Sequence, residues 1–136
     1  AEAQGEYAAR AGGTTAFSNG GITEVECDYD HNPDLIGWYC YNSGEKPHPV
    51  AGKVPNAWGL YDMYGNVWEW VQECWHEDYT DAPADSRVWG GGDCSQRVLR
   101  GGGWANQANY LGSTVRGPDE AKFEDSSNGF RVVLSR

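Results

Sequence analysis

Positive charge is scarce in this sequence: 10 Lys and Arg stand against 20 Asp and Glu, giving a formal net charge of −10 and a pI near 4.5. A protein that tracks nucleic-acid phosphates or docks on anionic lipid needs clustered cations, to release counterions or to meet negative headgroups. Both classes are excluded, and the bulk field favours cations instead. Long apolar runs are also missing. None approaches the roughly 18 residues needed to cross a bilayer, so no membrane span is expected. The four cysteines show no C-x-x-C spacing, which argues against zinc and thioredoxin-type sites. Phe (3) and Met (1) are rare and Leu, Ile and Val sparse, so a helical bundle is excluded.

What is abundant is glycine (19), with 7 Trp and 8 Tyr. A core of large rings whose N–H and O–H groups need partners, threaded by tight glycine turns, is expected, and so much aromatic area excludes disorder. At 136 residues there is room for one domain, over 1–136. Residues 2–10, rich in Ala and Glu and ended by Ala-Gly-Gly, form the one good helical stretch. It lacks an N-cap, so the chain is expected to begin inside an element, as a piece of something longer. From 12 to 55 there are turn residues, acids and aromatics with almost no periodicity. Strands are predicted at 67–71, 97–100 and 130–134, separated by long loops at 74–96 and 104–128.

Such irregular stretches need staples. Cys27, Cys40, Cys74 and Cys94 are read as two disulfides. The economical pairing, in sequence order, closes two loops of a size worth about 3 kcal/mol each in the chain-entropy model. The other two connectivities remain open, as does a set of four buried thiols. Disulfides imply an oxidising compartment, periplasmic or extracellular.

Three blocks carry a family resemblance: PNAWGLYDMYGNVWEW at 55–70, RVLRGGGW at 97–104 and NGFRVV at 128–133, joined by EYAARAGG at 6–13. In this order and near these spacings they resemble the formylglycine-generating-enzyme family, the sulfatase-modifying factors. The resemblance implies an α+β fold, an irregular C-type-lectin-like one of the formylglycine-generating-enzyme type, with small antiparallel sheets and bound calcium. In that family EYAAR lies within a longer helix behind a Leu-Pro-Thr segment. A Trp usual before EYAAR is Gly5 here.

Asp62-x-x-Gly65-x-Val67-x-Glu69 places two carboxylates and two carbonyl donors around a Gly-Asn turn. Calcium takes six to eight hard oxygens, which such a turn can aim inward; the alternative is that Asp62 and Glu69 cap turns or bond buried indoles. The resemblance assigns these positions to a structural calcium site, with Asp62 and Glu69 acting through side chains and Gly65 and Val67 through carbonyls. It assigns a second site to the side chains of Asp28 and Asn42 with the carbonyls of Tyr29 and Gly44.

Family members that oxidise a sulfatase cysteine to formylglycine bind copper(I) through two thiolates after the glycine block, and soft thiolates are what that ion needs. Those two positions are Asn106 and Leu111 here. Copper is therefore not expected, and formylglycine generation is not expected unless Cys74 and Cys94 are free and relocated. The family's sulfoxide synthases need an iron-binding helical domain with several His, and that chemistry is not expected of these residues. His31, His48 and His76 form no ligand pattern, and nucleophile and phosphate-loop motifs are absent.

What remains is a surface. The 104–128 loop presents Trp104, Asn106, Gln107, Asn109, Tyr110 and Arg116, large rings among small hydrogen bonders, a composition of adaptable recognition surfaces. In related lectin-type folds this region hosts the ligand face of variable proteins. The alternative is that Trp104, Arg116 and Phe130 pack the fold. The expectation is a calcium-stabilised, non-catalytic binding or structural module of an exported protein or larger complex, taking a protein or small-molecule ligand through that loop. An oxidoreductase of the family is the alternative.

Overall fold

The computed structural model describes residues 1–133. Helix α1 runs Glu2–Arg10 as expected, and Ala11 ends it in the left-handed region at φ 48°, its N–H donating to Tyr7 O at 3.2 Å. A second, six-residue helix, α2 (His31–Ile36), lies inside the stretch read as irregular. Its start is written in the sequence, because Asp30 is its N-cap and accepts the Asn32 N–H at 3.1 Å.

Two short strands, β1 (Gly37–Trp38) and β2 (Tyr64–Gly65), pair in parallel. Their backbones approach so closely that a side chain on Gly65, at φ 73°, would collide with the Trp38 carbonyl. The main sheet has four strands, β3 (Trp68–Trp75), β4 (Asp93–Arg100), β5 (Arg116–Glu120) and β6 (Asn128–Phe130), in the order β5-β4-β3-β6. The β3–β4 and β4–β5 pairs are antiparallel, and β3–β6 is parallel. The expected strands at 67–71 and 97–100 fall on β3 and β4, which run longer. The third is displaced: β6 ends at Phe130, where the expected strand began, and Leu134 lies outside the described residues. Strand β5, RGPDE, falls in the stretch expected to be loop, since Gly, Pro and acids disfavour strands; as an edge strand it tolerates Pro118. The long loop before it also holds a 3-10 turn at Ala108–Leu111. The α+β class, with small sheets and little regular structure, stands.

The ring-rich core is built differently from expectation. Phe17, Tyr39 and Tyr64 are buried with Ile36, Leu111, Ala9 and Ala108, and the Phe17 and Tyr64 rings meet edge to face at 5.6 Å. No Trp is among the buried core residues. Trp is too large to enclose fully in a small domain, and six of the seven lie half-buried around the core while Trp58 is exposed. Tyr64 satisfies its hydroxyl by donating to Ala9 O at 2.7 Å. Gly5, where the family Trp was expected, borders a small cleft of about 50 Å³ together with Ala9, Met63 and Leu111.

Both loops are stapled in sequence order: Cys27 to Cys40 and Cys74 to Cys94, with Cα atoms 5.6 and 4.5 Å apart. The 12–55 segment is further organised by Asp30, 1% exposed. Its carboxylate accepts N–H groups from Thr23 (2.6 Å), Glu24 (2.9 Å) and Asn32, and its own N–H donates to Tyr39 Oη at 3.0 Å. Burial alone would push this carboxyl up, but the N–H donors outweigh burial and hold it below the usual aspartate value. Its contribution to stability is therefore complete above the unfolded value, about pH 4, and is lost as pH falls through the lower folded value. Asp30→Asn, which sets an NH2 against N–H donors, should cost about 2–4 kcal/mol in urea unfolding and flatten the acid limb of the stability–pH curve. An unchanged acid limb in the variant would contradict this role.

Candidate functional site

The glycine block after β4 makes the turn that carries the candidate face. Gly101 and Gly102 lie at φ 91° and 70°, and Gly102 packs so tightly on the Tyr110–Leu111 backbone that a side chain there would clash. The turn is fastened from several sides. Asn106 Oδ1 accepts the Gly103 N–H at 2.9 Å, Cys40 N–H donates to Asn106 O at 3.0 Å, and Ser43 Oγ donates to Trp104 O at 2.9 Å. Gln107 Nε2 donates to Glu26 at 2.9 Å, tying the face to the segment that leads into Cys27 of the first disulfide.

This fastening decides what the two expected copper positions do. Asn106 closes a turn, and Leu111 is fully buried in the core. The four cysteines are all in disulfides, so Cys74 and Cys94 have not moved to the site as thiols. Trp104 is half-buried, its indole N–H donating to Ser126 O at 3.4 Å, while Asn109 and Tyr110 stand exposed. Around this turn, recognition chemistry is open to Trp104, Asn109 and Tyr110; Asn106 and Gln107 hold the scaffold.

Arg116 does not belong to that face. Its guanidinium is buried between the rings of Trp75 (4.4 Å) and Tyr79 (4.8 Å), donates from Nε and Nη2 to Glu2 at 2.9 and 3.0 Å, and reaches His76 O at 2.6 Å. It clamps α1 onto the sheet, the packing role weighed as its alternative. Arg100 adds to the clamp, 3.4 Å from Glu2 and also paired with Glu6. Burial and the Glu2 carboxylate together push the neighbouring Tyr79 hydroxyl up. Nothing in the sequence spacing links residues 2 and 116, so this cluster was not legible.

Between Asp62 and Glu69 the chain turns at Gly65 and Asn66, at φ 73° and 65°. Asp62 Oδ2 accepts the Ala51 N–H at 2.7 Å. Glu69 is bidentate with Arg131, whose Nη2 lies 2.7 Å from Oε1 and also donates to the carbonyls of Tyr61 and Asp62, each at 3.0 Å. The carboxylate raises the Arg131 pKa further. The set thus keeps two carboxylates, hard donors suited to calcium, with a guanidinium already on one of them. In the second set Asn42 gives its single oxygen to the Tyr39 N–H (2.9 Å) and its nitrogen to Asp34 (2.8 Å) and Gly37 O (3.0 Å). Asp28, the one charged side chain of that set, is exposed and accepts the Tyr29 N–H at 2.7 Å.

The histidines serve packing. His48 stacks on Trp38 at 3.8 Å, His76 stacks on Trp89 at 3.7 Å, and His31 meets Tyr29 Oη at 3.2 Å. Among the described residues no group of three or more His, Cys, Asp and Glu side chains is arranged to hold a metal ion.

Comparison with known proteins agrees with this architecture. The family model described as sulfatase-modifying factor enzyme 1-like domain matches residues 1–136. A protein of Paenibacillus barcinonensis named chaperone protein LppX is 32% identical over 123 residues, covering 78% of this chain and 40% of its own. Among solved structures, PvdO from Pseudomonas aeruginosa superposes with a TM-score of 0.81 at 32% identity, over 96% of this chain and 49% of that one. Treponema denticola variable protein 1 superposes with a TM-score of 0.79 at 35% identity, over 95% of this chain and 44% of that one. The chain spans less than half the length of each of these relatives. With its whole length matched by the family model and its α+β fold shared with these structures, the chain belongs to the sulfatase-modifying factor family, that of the formylglycine-generating enzymes.

Proposed function

We propose that the chain is a non-catalytic binding or structural module of an exported protein or assembly, with Trp104, Asn109 and Tyr110 as the ligand-contacting residues. The observation that carries this reading is the use made of the two copper positions: Asn106 is committed to its turn and Leu111 to the core. Neither offers the soft donor that copper(I) oxidation of a cysteine requires. The half-buried indole and exposed phenol, set among Asn and Gly on a turn fastened at several points, form a pre-organised surface of the kind that binds without ordering cost. A relative named as a chaperone and a structural neighbour named as a variable protein are in keeping with non-enzymatic use. The two disulfides support an oxidising compartment, periplasmic or extracellular, for the module.

The catalytic alternative is tested by incubating the chain with copper(I), oxygen and a cysteine-containing sulfatase peptide. The peptide mass should stay unchanged; conversion of its cysteine to the aldehyde would overturn the reading.

Structural calcium is part of the proposal. Asp62 and Glu69 would hold it through carboxylates and Gly65 and Val67 through carbonyls; Glu69 would share its charge with Arg131. Asp28, Asn42, Tyr29 and Gly44 would offer a weaker second set, since Asn42 brings one oxygen where a carboxylate would bring two. Bound calcium neutralises local charge and pins the turn below the ligand face. At a hundred times its Kd it would add about 2.7 kcal/mol by mass action. EDTA should therefore lower the Tm by several degrees and added calcium should restore it, an effect lost in Asp62→Asn; a Tm indifferent to EDTA would remove calcium from the account.

A further inference from the structure

A second feature lies away from the glycine turn, where α1 meets the sheet under the 76–92 loop. There a cleft of about 160 Å³ opens between the first turns of α1, β3 and the loop closed by Cys74–Cys94. Glu73 of β3 lines it and is 2% exposed. Glu73 Oε1 accepts the Glu2 N–H at 2.7 Å, but Oε2 is buried with no hydrogen-bond partner.

The neighbouring carboxylates are not in this state. Glu2 is met by the guanidinium groups of Arg116 and Arg100 and by the Tyr79 hydroxyl at 3.1 Å; Glu6 is met by Arg10 and Arg100. Arg87, which also borders the cleft, pairs with Asp85 on the exposed side of the loop. Glu73 is thus a buried carboxylate with one of its two oxygens unpaired, a state that is costly unless a donor or a cation reaches it.

The walls select the donor. Tyr79 and Trp89 lie 6.3 Å apart with their rings 17° from parallel, and Ala3, Ala82 and Pro83 add apolar wall; the other charged residues of the lining, Glu2, Glu6, Arg87 and Arg100, are already in ion pairs. Carboxylate plus ring faces is how this region already holds a cation of its own, Arg116 on Glu2, Trp75 and Tyr79. The volume is well below the roughly 300 Å³ at which drug-sized pockets begin, and it suits a short alkyl chain with a compact head that donates several hydrogen bonds. We propose that this cleft binds a primary alkylammonium group, the head on Glu73 and the methylenes along Tyr79 and Trp89, as presented by a lysine side chain of a partner or by a small free amine. The site is independent of the Trp104 face, and its test does not depend on that reading.

The experiment is an NMR and tryptophan-fluorescence titration of the disulfide-intact chain with n-butylammonium, with capped N-acetyl-lysine methylamide and with neutral n-butanol. Saturable shifts centred on Glu73, Tyr79 and Trp89 are expected with the ammonium ligands, at least tenfold weaker with butanol. Binding of the capped lysine as well as butylammonium identifies a peptide source; butylammonium alone identifies a free amine. Glu73→Gln should weaken binding at least tenfold, and Trp89→Ala, on the loop and outside the core, should weaken it several-fold should the Glu73 variant not fold. The absence of saturable binding, equal binding of butanol, or Glu73→Gln and Trp89→Ala variants that both bind like the parent would each overturn the proposal.

Discussion

The structure depends on side chains hydrogen-bonding backbone that no helix or strand covers. Buried N–H and C=O groups must be paired, and a chain with two short helices and small sheets cannot pair them by regular ladders alone. Asp30 gathers the peptides of Thr23, Glu24 and Asn32. Asn56 takes the N–H groups of Trp58 and Leu60 on its oxygen while its amide donates to Ala8 O and Ala9 O, closing carbonyls at the open end of α1. Asn66 pairs with both sides of the His48 peptide, as a strand neighbour would. Each is a short, stiff group whose bonds can be placed without losing much rotamer freedom, and the disulfides then limit how far the stapled loops can open.

That constraint explains what could be read in the sequence. Helix α1, strands β3 and β4 and the glycine turn are legible because they rest on local pattern: Ala and Glu content, β-branched and aromatic runs, RVLRGGGW; cysteine order offers the observed pairing only as the economical one of three. Strand β5 was not, since Arg116–Glu120 becomes a strand only by pairing with β4. Helix α2 was hidden in an acidic stretch, although Asp30 two residues before Asn32 was the signal that could have found it. Composition points the large rings to the core, but the size of Trp keeps it at the margin, where Trp38 and Trp89 stack on His48 and His76.

The candidate sites divide along the same line. Asn106 and Leu111 could be seen in the sequence as the loss of two thiolates, but the roles they took up appear only in three dimensions. The place of Arg116 in the 104–128 stretch points to the surface, whereas its partners Glu2, Trp75 and Tyr79 come from three other segments and bury it. Arg131 on Glu69 went unread because NGFRVV was read as strand and family signature, and its contact with Glu69 spans 62 residues. Long-range charge pairing locks α1 to the sheet through Glu2 and Glu6, and Glu73, beside that clamp, is in no ion pair among the described residues.

The central claim, that side chains of irregular segments hold the backbone as firmly as the sheet does, is tested most directly by native-state hydrogen exchange. The amides of Thr23, Glu24, Asn32, His48, Trp58 and Leu60, which all donate to Asp30, Asn66 or Asn56, should exchange as slowly as those in the centres of β3 and β4. Exchange of these six amides at the rate of an unprotected chain, with β3 and β4 still protected, would contradict the account.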